Sequence, residues 1–253
     1  MRCERMARLF IQGREEIVST EQQLRQDVAL ANRIIERFGL SNAFGHVSGR
    51  IPGTNRFVIS TRRSPGLAEE KDLLVIDTDG KVLEGKGTPN SEFWIHARIY
   101  AARPDVGGVV HAHPLACISL TQIGEPHRVV HNQGAPFFEV PEYSRIGLIR
   151  SRELGDQVAS SLGGSVAVMM RGHGISTAYP DVRSATVAAC FLEESARLQL
   201  DMLAAAGGDG KRIRAFTREE ARLADEQTGP GARASGRAWE YYSSVAMIRP
   251  LGG

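Results

Sequence analysis

DVGGVVHAHPLA, residues 105 to 116, opens like a buried β-strand and closes on two histidines one residue apart. Val109 and Val110 are β-branched and follow the turn-forming pair Gly107-Gly108, while Pro114 stops regular pairing just beyond. The local reading is a short strand. Residues i and i+2 of a strand share a face, so His111 and His113 point the same way, with only Ala112 opposed to them. Two imidazoles so placed can hold one ion, and the same placement suits two hydrogen-bonded histidines at a strand end. The neighbouring segments separate the two readings.

Upstream, residues 20 to 38 put Leu24, Val28, Ala31 and Ile35 on one stripe after Ser19 or Thr20 as N-cap, which predicts an amphipathic helix stopped at Gly39. HVSGRIP, RFVIST and DLLVIDTDGKVLEG then read as strands, the last folded at Asp79-Gly80 into a hairpin, so this part is antiparallel. TPNSEFWIHARIYAARPD reads as a helix capped by Asn90 or Ser91, with Glu92 in its first turn and Pro104 at its end.

Downstream, HRVVHN and PFFEVP are strand candidates, and SRELGDQVASSLGG is a helix closed by glycines. SVAVMMRGHGISTAY gives a strand, a Gly-His-Gly turn around His173 and a second strand. PDVRSATVAACFLEESARLQLDMLAAAG gives a long helix with Pro180 near its start. With no internal repeat or long linker, the expectation is one domain over residues 1–253, in which 207–253 form a charged, helical C-terminal extension.

Bulk properties narrow the function classes. The 253 residues are 42% apolar, enough for a sizeable core, and 31 basic against 29 acidic side chains leave a net charge of only +2. Nothing global therefore points to nucleic acid or an anionic membrane as partner. The apolar part of the first 19 residues is too short and too broken by charge for a secretory signal or a membrane span. Cys3, Cys117 and Cys190 are odd in number and form no CxxC pair, which fits free thiols and a cytoplasmic location.

Glu92, the pair His111 and His113, and His173 thus sit on three separate elements, each where the chain leaves regular structure, as site residues commonly do. Three imidazoles and a carboxylate suit Zn²⁺, Mn²⁺, Fe²⁺ or Co²⁺, and the lack of a cysteine pair disfavours a closed structural zinc site. TPNSE, HAHP and RGHG, in this order, resemble the motifs of the class II aldolase/adducin family, over roughly residues 22 to 205. The resemblance implies a three-layer α/β/α sandwich around a mixed, largely antiparallel sheet. It also implies one divalent ion per subunit, Mn²⁺ or Zn²⁺ foremost, on Glu92, His111, His113 and His173. A homotetramer with active sites between subunits is implied too, in which Tyr241 or Tyr242 can reach a neighbour's substrate or simply pack. His96, four residues after Glu92 on one helical face, reads as a neighbour of the ligands rather than one of them, and His127 and His131 read as surface or interface residues.

The aldolases and epimerases of the family grip a sugar phosphate with Gly-Asn, Thr-Gly and Ser-Ser pairs. Here GHVSGR puts His46 in the Asn position, the second loop reads STRRSPG, and the third pair is Asn90-Ser91. Arg62 and Arg63 offer planar forks to a carboxylate, or form a solvated basic loop. Together with Ser64, Asn90, Ser91 and Tyr242 they are the candidate substrate-binding residues. These departures resemble the decarboxylase branch, which includes the enzyme acting on 3-hydroxy-2-methylpyridine-4,5-dicarboxylate. The expectation is a metal-dependent carbon-carbon lyase that decarboxylates a hydroxylated aromatic or heteroaromatic acid, with His46 or Glu92 as the catalytic proton donor. Its rivals are an aldolase for a hydroxy-carbonyl substrate, an iron-dependent oxygenase and a scaffold without activity.

Overall fold

Period-two apolar runs alternate with helical stripes along the chain, and in the computed structural model they resolve into one eight-stranded sheet between helical layers. The structure describes residues 2–228 and 236–247, with side chains from 20 to 227 and from 236 to 247. Cys3 and the tail beyond Met247 lie outside the described side chains.

Helix α1 is Arg2–Arg37, followed by β1 (His46–Arg50), β2 (Arg56–Ser60), β3 (Leu73–Asp77) and β4 (Val82–Glu84). Then come α2 (Phe93–Ala102), β5 (Gly108–Ala112), α3 (Leu115–Ile123), β6 (Glu142–Tyr143), α4 (Arg152–Leu162), β7 (Ala167–Met170) and β8 (Gly174–Tyr179). Helices α5 (Val182–Ala205), α6 (Arg218–Thr228) and α7 (Arg237–Met247) complete the order. The sheet runs β4-β3-β2-β1-β5-β8-β7-β6. Every neighbouring pair is antiparallel except β6 with β7.

Strand alternation sorts the core into two halves. Val47, Val58, Val75, Val110, Met169 and Ile175 pack under α1, α3 and α5, while Phe57, Ile59, Leu74, Ile76, Val109 and Met170 pack under α2 and α4. This is the three-layer sandwich. No helix among the described residues is long and apolar enough to cross a membrane.

Four local expectations change. Ser19 and Thr20 lie inside α1 rather than at its start, because the helix begins far upstream. HRVVHN and PFFEVP do not pair as strands: residues 126–131 are irregular, Asn132–Phe137 is a 3-10 helix, and β6 has two residues. His127 supplies the reason. It is buried, its Nδ1 2.9 Å from the Phe137 carbonyl and its Nε2 2.9 Å from Ser195 Oγ, so it anchors this segment to α5 instead of lying on the surface. His131 caps the 3-10 helix by accepting from the Gln133 amide. The sequence reading also missed α3, whose first free amides, at Ala116 and Cys117, are taken up by the buried Glu193 carboxylate of α5 at 3.0–3.1 Å.

Candidate metal centre

Four side chains converge where β5, the β7–β8 turn and the start of α2 meet. One ligand atom from each of Glu92, His111, His113 and His173 lies within 4.8 Å of the others. Strand β5 ends at Ala112, so His113 stands just past it, fixed by its backbone N–H donating to the Leu40 carbonyl at 2.9 Å. Glu92 is the N-cap residue of α2 and caps nothing with its side chain, a correction to the expected cap at Asn90 or Ser91, two residues or one earlier. Its Oε1 instead accepts from the Ile149 N–H at 2.7 Å, which aims the carboxylate at the histidines.

The turn carrying His173 depends on its glycines. Gly172 has φ +63, a left-handed conformation, and a Cβ on Gly174 would stand 2.1 Å from the Ala112 carbonyl oxygen. The Gly-His-Gly motif is therefore what lets β8 press against β5 while His173 faces the cluster.

The donor set fits a divalent cation. The Nδ1 of His111 donates to the Ile175 carbonyl at 3.0 Å, which leaves its Nε2 as the lone-pair side. That Nε2 is 3.1 Å from Nε2 of His113, a distance one hydrogen bond can account for. His173 is not satisfied in that way. Both of its ring nitrogens are buried without a hydrogen-bond partner, and its Nε2 is 3.5 Å from Glu92 Oε1. Buried imidazole nitrogens facing a carboxylate and two other imidazoles are the surroundings a cation completes.

Electrostatics point the same way. Burial, reinforced by the neighbouring rings, lowers His111 well below the ordinary histidine value, and burial with His173 nearby lowers His113 to about 4. Burial alone would raise the Glu92 carboxyl, but the adjacent His173 and the Ile149 N–H outweigh it and hold the group below its usual range. Neutral imidazoles beside an ionised carboxylate are the protonation states a metal requires.

A cavity of about 720 Å³ opens onto this cluster. His46, Arg62, Arg63, Ser64, Asn90 and Ser91, all singled out in the sequence, line it together with Glu92, His113 and His173. The two arginines differ. Arg63 is bound to Asp72 at 2.7 Å, whereas the Arg62 guanidinium has no ion-pair partner among the described residues. Arg150, Phe44 and Leu148 also line the cavity and were missed. Arg150 sits in a loop with no motif around it, and only the path of the chain between β6 and α4 brings it here.

Tyr242 is not brought to this cavity. It is buried in α7, its ring edge-on to Phe38 at 4.7 Å and its hydroxyl donating to Glu194 at 2.8 Å. Tyr241 beside it is exposed. His96 stands behind the cavity wall as a neighbour of the ligands, its Nε2 2.6 Å from Nδ1 of His46.

The family model for the class II aldolase and adducin N-terminal domain matches residues 26–200. The chain belongs to this family. Among relatives in it, a 3,4-dihydroxyphthalate decarboxylase of Terrabacter sp. (strain DBF63) is 34% identical over 86% of this chain and 94% of its own. Another, of Arthrobacter keyseri, is 32% identical over 72% of this chain and 80% of its own. The family fold is shared with an L-fuculose 1-phosphate aldolase from Glaciozyma antarctica PI12, at TM-score 0.76 and 21% identity over 91% of this chain and 90% of that one.

Proposed function

We propose that this protein is a divalent-metal-dependent decarboxylase of an aromatic acid that carries a hydroxyl group beside the departing carboxylate and at least one further anionic group. The observation that carries the reading is that Arg62 and Arg150, neither with an ion-pair partner among the described residues, line the same cavity as the metal-type cluster. Such groups suit a substrate with more negative charge than one ion neutralises. The dihydroxyphthalate named for two relatives has this character.

A divalent ion on Glu92, His111, His113 and His173 would supply Lewis-acid stabilisation for negative charge developing on a substrate oxygen. The side chains divide the remaining work. Arg62 and Arg150 hold the carboxylate that stays, and the apolar Phe44 and Leu148 contact the ring and exclude water from it. When the ring–carboxylate bond breaks, its electron pair remains with the ring, carbon dioxide departs, and a proton from water ultimately takes its place. His46 is the cavity histidine outside the ligand set, and we assign it to the site of that proton delivery.

The test is carbon dioxide release under anaerobic conditions from ortho-hydroxylated aromatic mono- and dicarboxylic acids, with each of Mn²⁺, Zn²⁺, Fe²⁺ and Co²⁺ supplied in turn. Release that stops with chelator and favours the diacids supports the reading. Silence with metal shown to be bound, and aldehyde from a hydroxy-carbonyl panel, would replace it with aldol cleavage.

A further inference from the structure

Behind His46 lies a line of buried polar groups that the metal cluster does not use. His46 Nδ1 is 2.6 Å from His96 Nε2, His96 Nδ1 is 2.6 Å from Ser48 Oγ, and Ser48 Oγ is 2.9 Å from the Tyr100 hydroxyl. All four residues are at most 2% exposed. Strand β1 supplies His46 and Ser48 from alternate positions on one face, and α2 supplies His96 and Tyr100 four residues apart, so strand and helix periods interleave to make the line. Arg50 fastens the two elements: its guanidinium donates to the carbonyls of Tyr100, Arg103 and Val106 at 2.7–2.8 Å and lies over the Tyr100 ring.

The direction of this line follows from counting hydrogens. Two neutral imidazoles, a serine and a tyrosine carry four polar hydrogens, and three contacts consume three of them. The fourth is left at one end of the line or, if His96 and Tyr100 both donate to it, on Ser48, whose buried hydroxyl has no third partner among the described residues and would then lack an acceptor. Were every bond to run from His46 toward Tyr100, the spare hydrogen would be on the phenol, for which Ser48 Oγ is the one side-chain partner among the described residues and would already be donating to it. A buried hydroxyl would then lack an acceptor, an arrangement folded proteins avoid. Run the other way, Tyr100 donates to Ser48, Ser48 to His96 Nδ1, and His96 Nε2–H to His46 Nδ1. The spare hydrogen is then on His46 Nε2, at the end of the line that borders the cavity.

We propose that His96, Ser48 and Tyr100 form a positioning relay that fixes His46 in its Nε2–H tautomer, as a hydrogen-bond donor into the substrate cavity. The assignment of that cavity to substrate rests on the function proposed above, but the tautomer does not. It makes His46 the opposite of its strand partner His111, whose hydrogen is on Nδ1 and whose lone pair faces the cluster. A residue locked as a donor cannot serve as a fifth ligand through the same nitrogen, which keeps the ion and the proton-bearing ring as separate functions on adjacent strands. The relay ends in Tyr100, whose phenol burial raises above its ordinary value; the line therefore orients His46 rather than storing a proton.

The experiment is solid-state ¹⁵N NMR of the full-length, Zn²⁺-loaded protein with labelled histidine, His46 being assigned by the signal lost in His46→Asn. A protonated Nε2 and an unprotonated Nδ1 at His46, with the reverse pattern at His111, is the expected result. A hydrogen on His46 Nδ1 overturns the proposal. Tyr100→Phe keeps the ring and removes the orienting hydroxyl, so His46 should become a mixture of tautomers; an unchanged His46 would mean the relay does not set it. Ser48→Ala cuts the same line at another link should Tyr100→Phe not fold. None of these readouts depends on turnover, so a failed decarboxylase assay and a failed relay are told apart.

Discussion

His46 and His111 are register partners in adjacent strands, their ring centroids 5.1 Å apart, yet their Nδ1 atoms bond in different directions. That of His111 is turned to the Ile175 carbonyl of β8, and that of His46 to His96 of α2. The same strand pairing thus delivers one imidazole to the metal-type cluster and one to the wall of the cavity. What separates their roles is the partner behind each ring.

Replacing a ligand should empty the centre and leave the fold intact. His173→Ala removes a half-buried ring in a turn, so metal content measured by mass spectrometry should drop to near zero while the circular dichroism spectrum is kept. Full metal occupancy in this variant would refute the centre. His111→Ala should lose the metal as well, with a larger loss of stability because that ring is fully buried.

The arginines should separate by their partners. Arg62→Ala and Arg150→Ala each remove a guanidinium with no ion pair among the described residues, and each should raise KM for a dicarboxylic substrate by about 10- to 100-fold. Arg63 is engaged by Asp72, so Arg63→Ala should act less on KM and more on the loop. Equal, small effects of all three, measured by steady-state kinetics, would place the wall outside substrate recognition.

His46→Asn should lower kcat by roughly 10² or more and change KM little, since a group that helps protonate carbon acts chiefly in the transition state. His46→Asn with normal kcat and raised KM would reassign the ring to binding. Metal content should stay near that of the parent protein, because His46 is outside the ligand set.

Acid stability should carry the signature of a buried neutral histidine remote from the cluster. Burial lowers His127 to about 4 from the ordinary 6.5. Above pH 6.5 neither the folded nor the unfolded form binds this proton. Between there and about 4 the unfolded chain takes it up first, so stability falls with pH across that window, by a total on the order of 3 kcal/mol from this group. Denaturant unfolding at pH 7 and pH 5 should show the loss, and His127→Gln should be less stable at pH 7 but lose less on acidification. An unaltered pH dependence in the variant would contradict the assignment.

Much of the site was legible in the chain because the chemistry is carried by short motifs at element ends. The alternation in VVHAH, the Gly-His-Gly turn and the carboxylate at a helix start mark Glu92, His111, His113 and His173 without any coordinates. The Arg62-Arg63 loop was legible for the same reason, though which arginine stays unpaired depends on Asp72, nine residues on, folding back to meet one of them. The Asp79-Gly80 hairpin, the two strands flanking the Gly-His-Gly turn and the glycine-closed helix α4 were equally local and held.

What the tertiary structure alone decided are relationships between residues far apart in sequence. His127 looked like a surface histidine on a strand and is an internal anchor, because Phe137 and Ser195 satisfy both of its nitrogens. Tyr242 carries no local sign of its partners within the chain, and its burial against Phe38 and its bond to Glu194 come from the packing of α7. Arg150 carries no motif and reaches the cavity by the route of its loop. Local propensity and periodicity, written in neighbouring residues, determined the elements and the metal-type donors. Hydrogen-bond direction and side-chain partnership are set by packing across about fifty residues or more, as between His46 and His96, and those were decided only when the sheet closed against its helices.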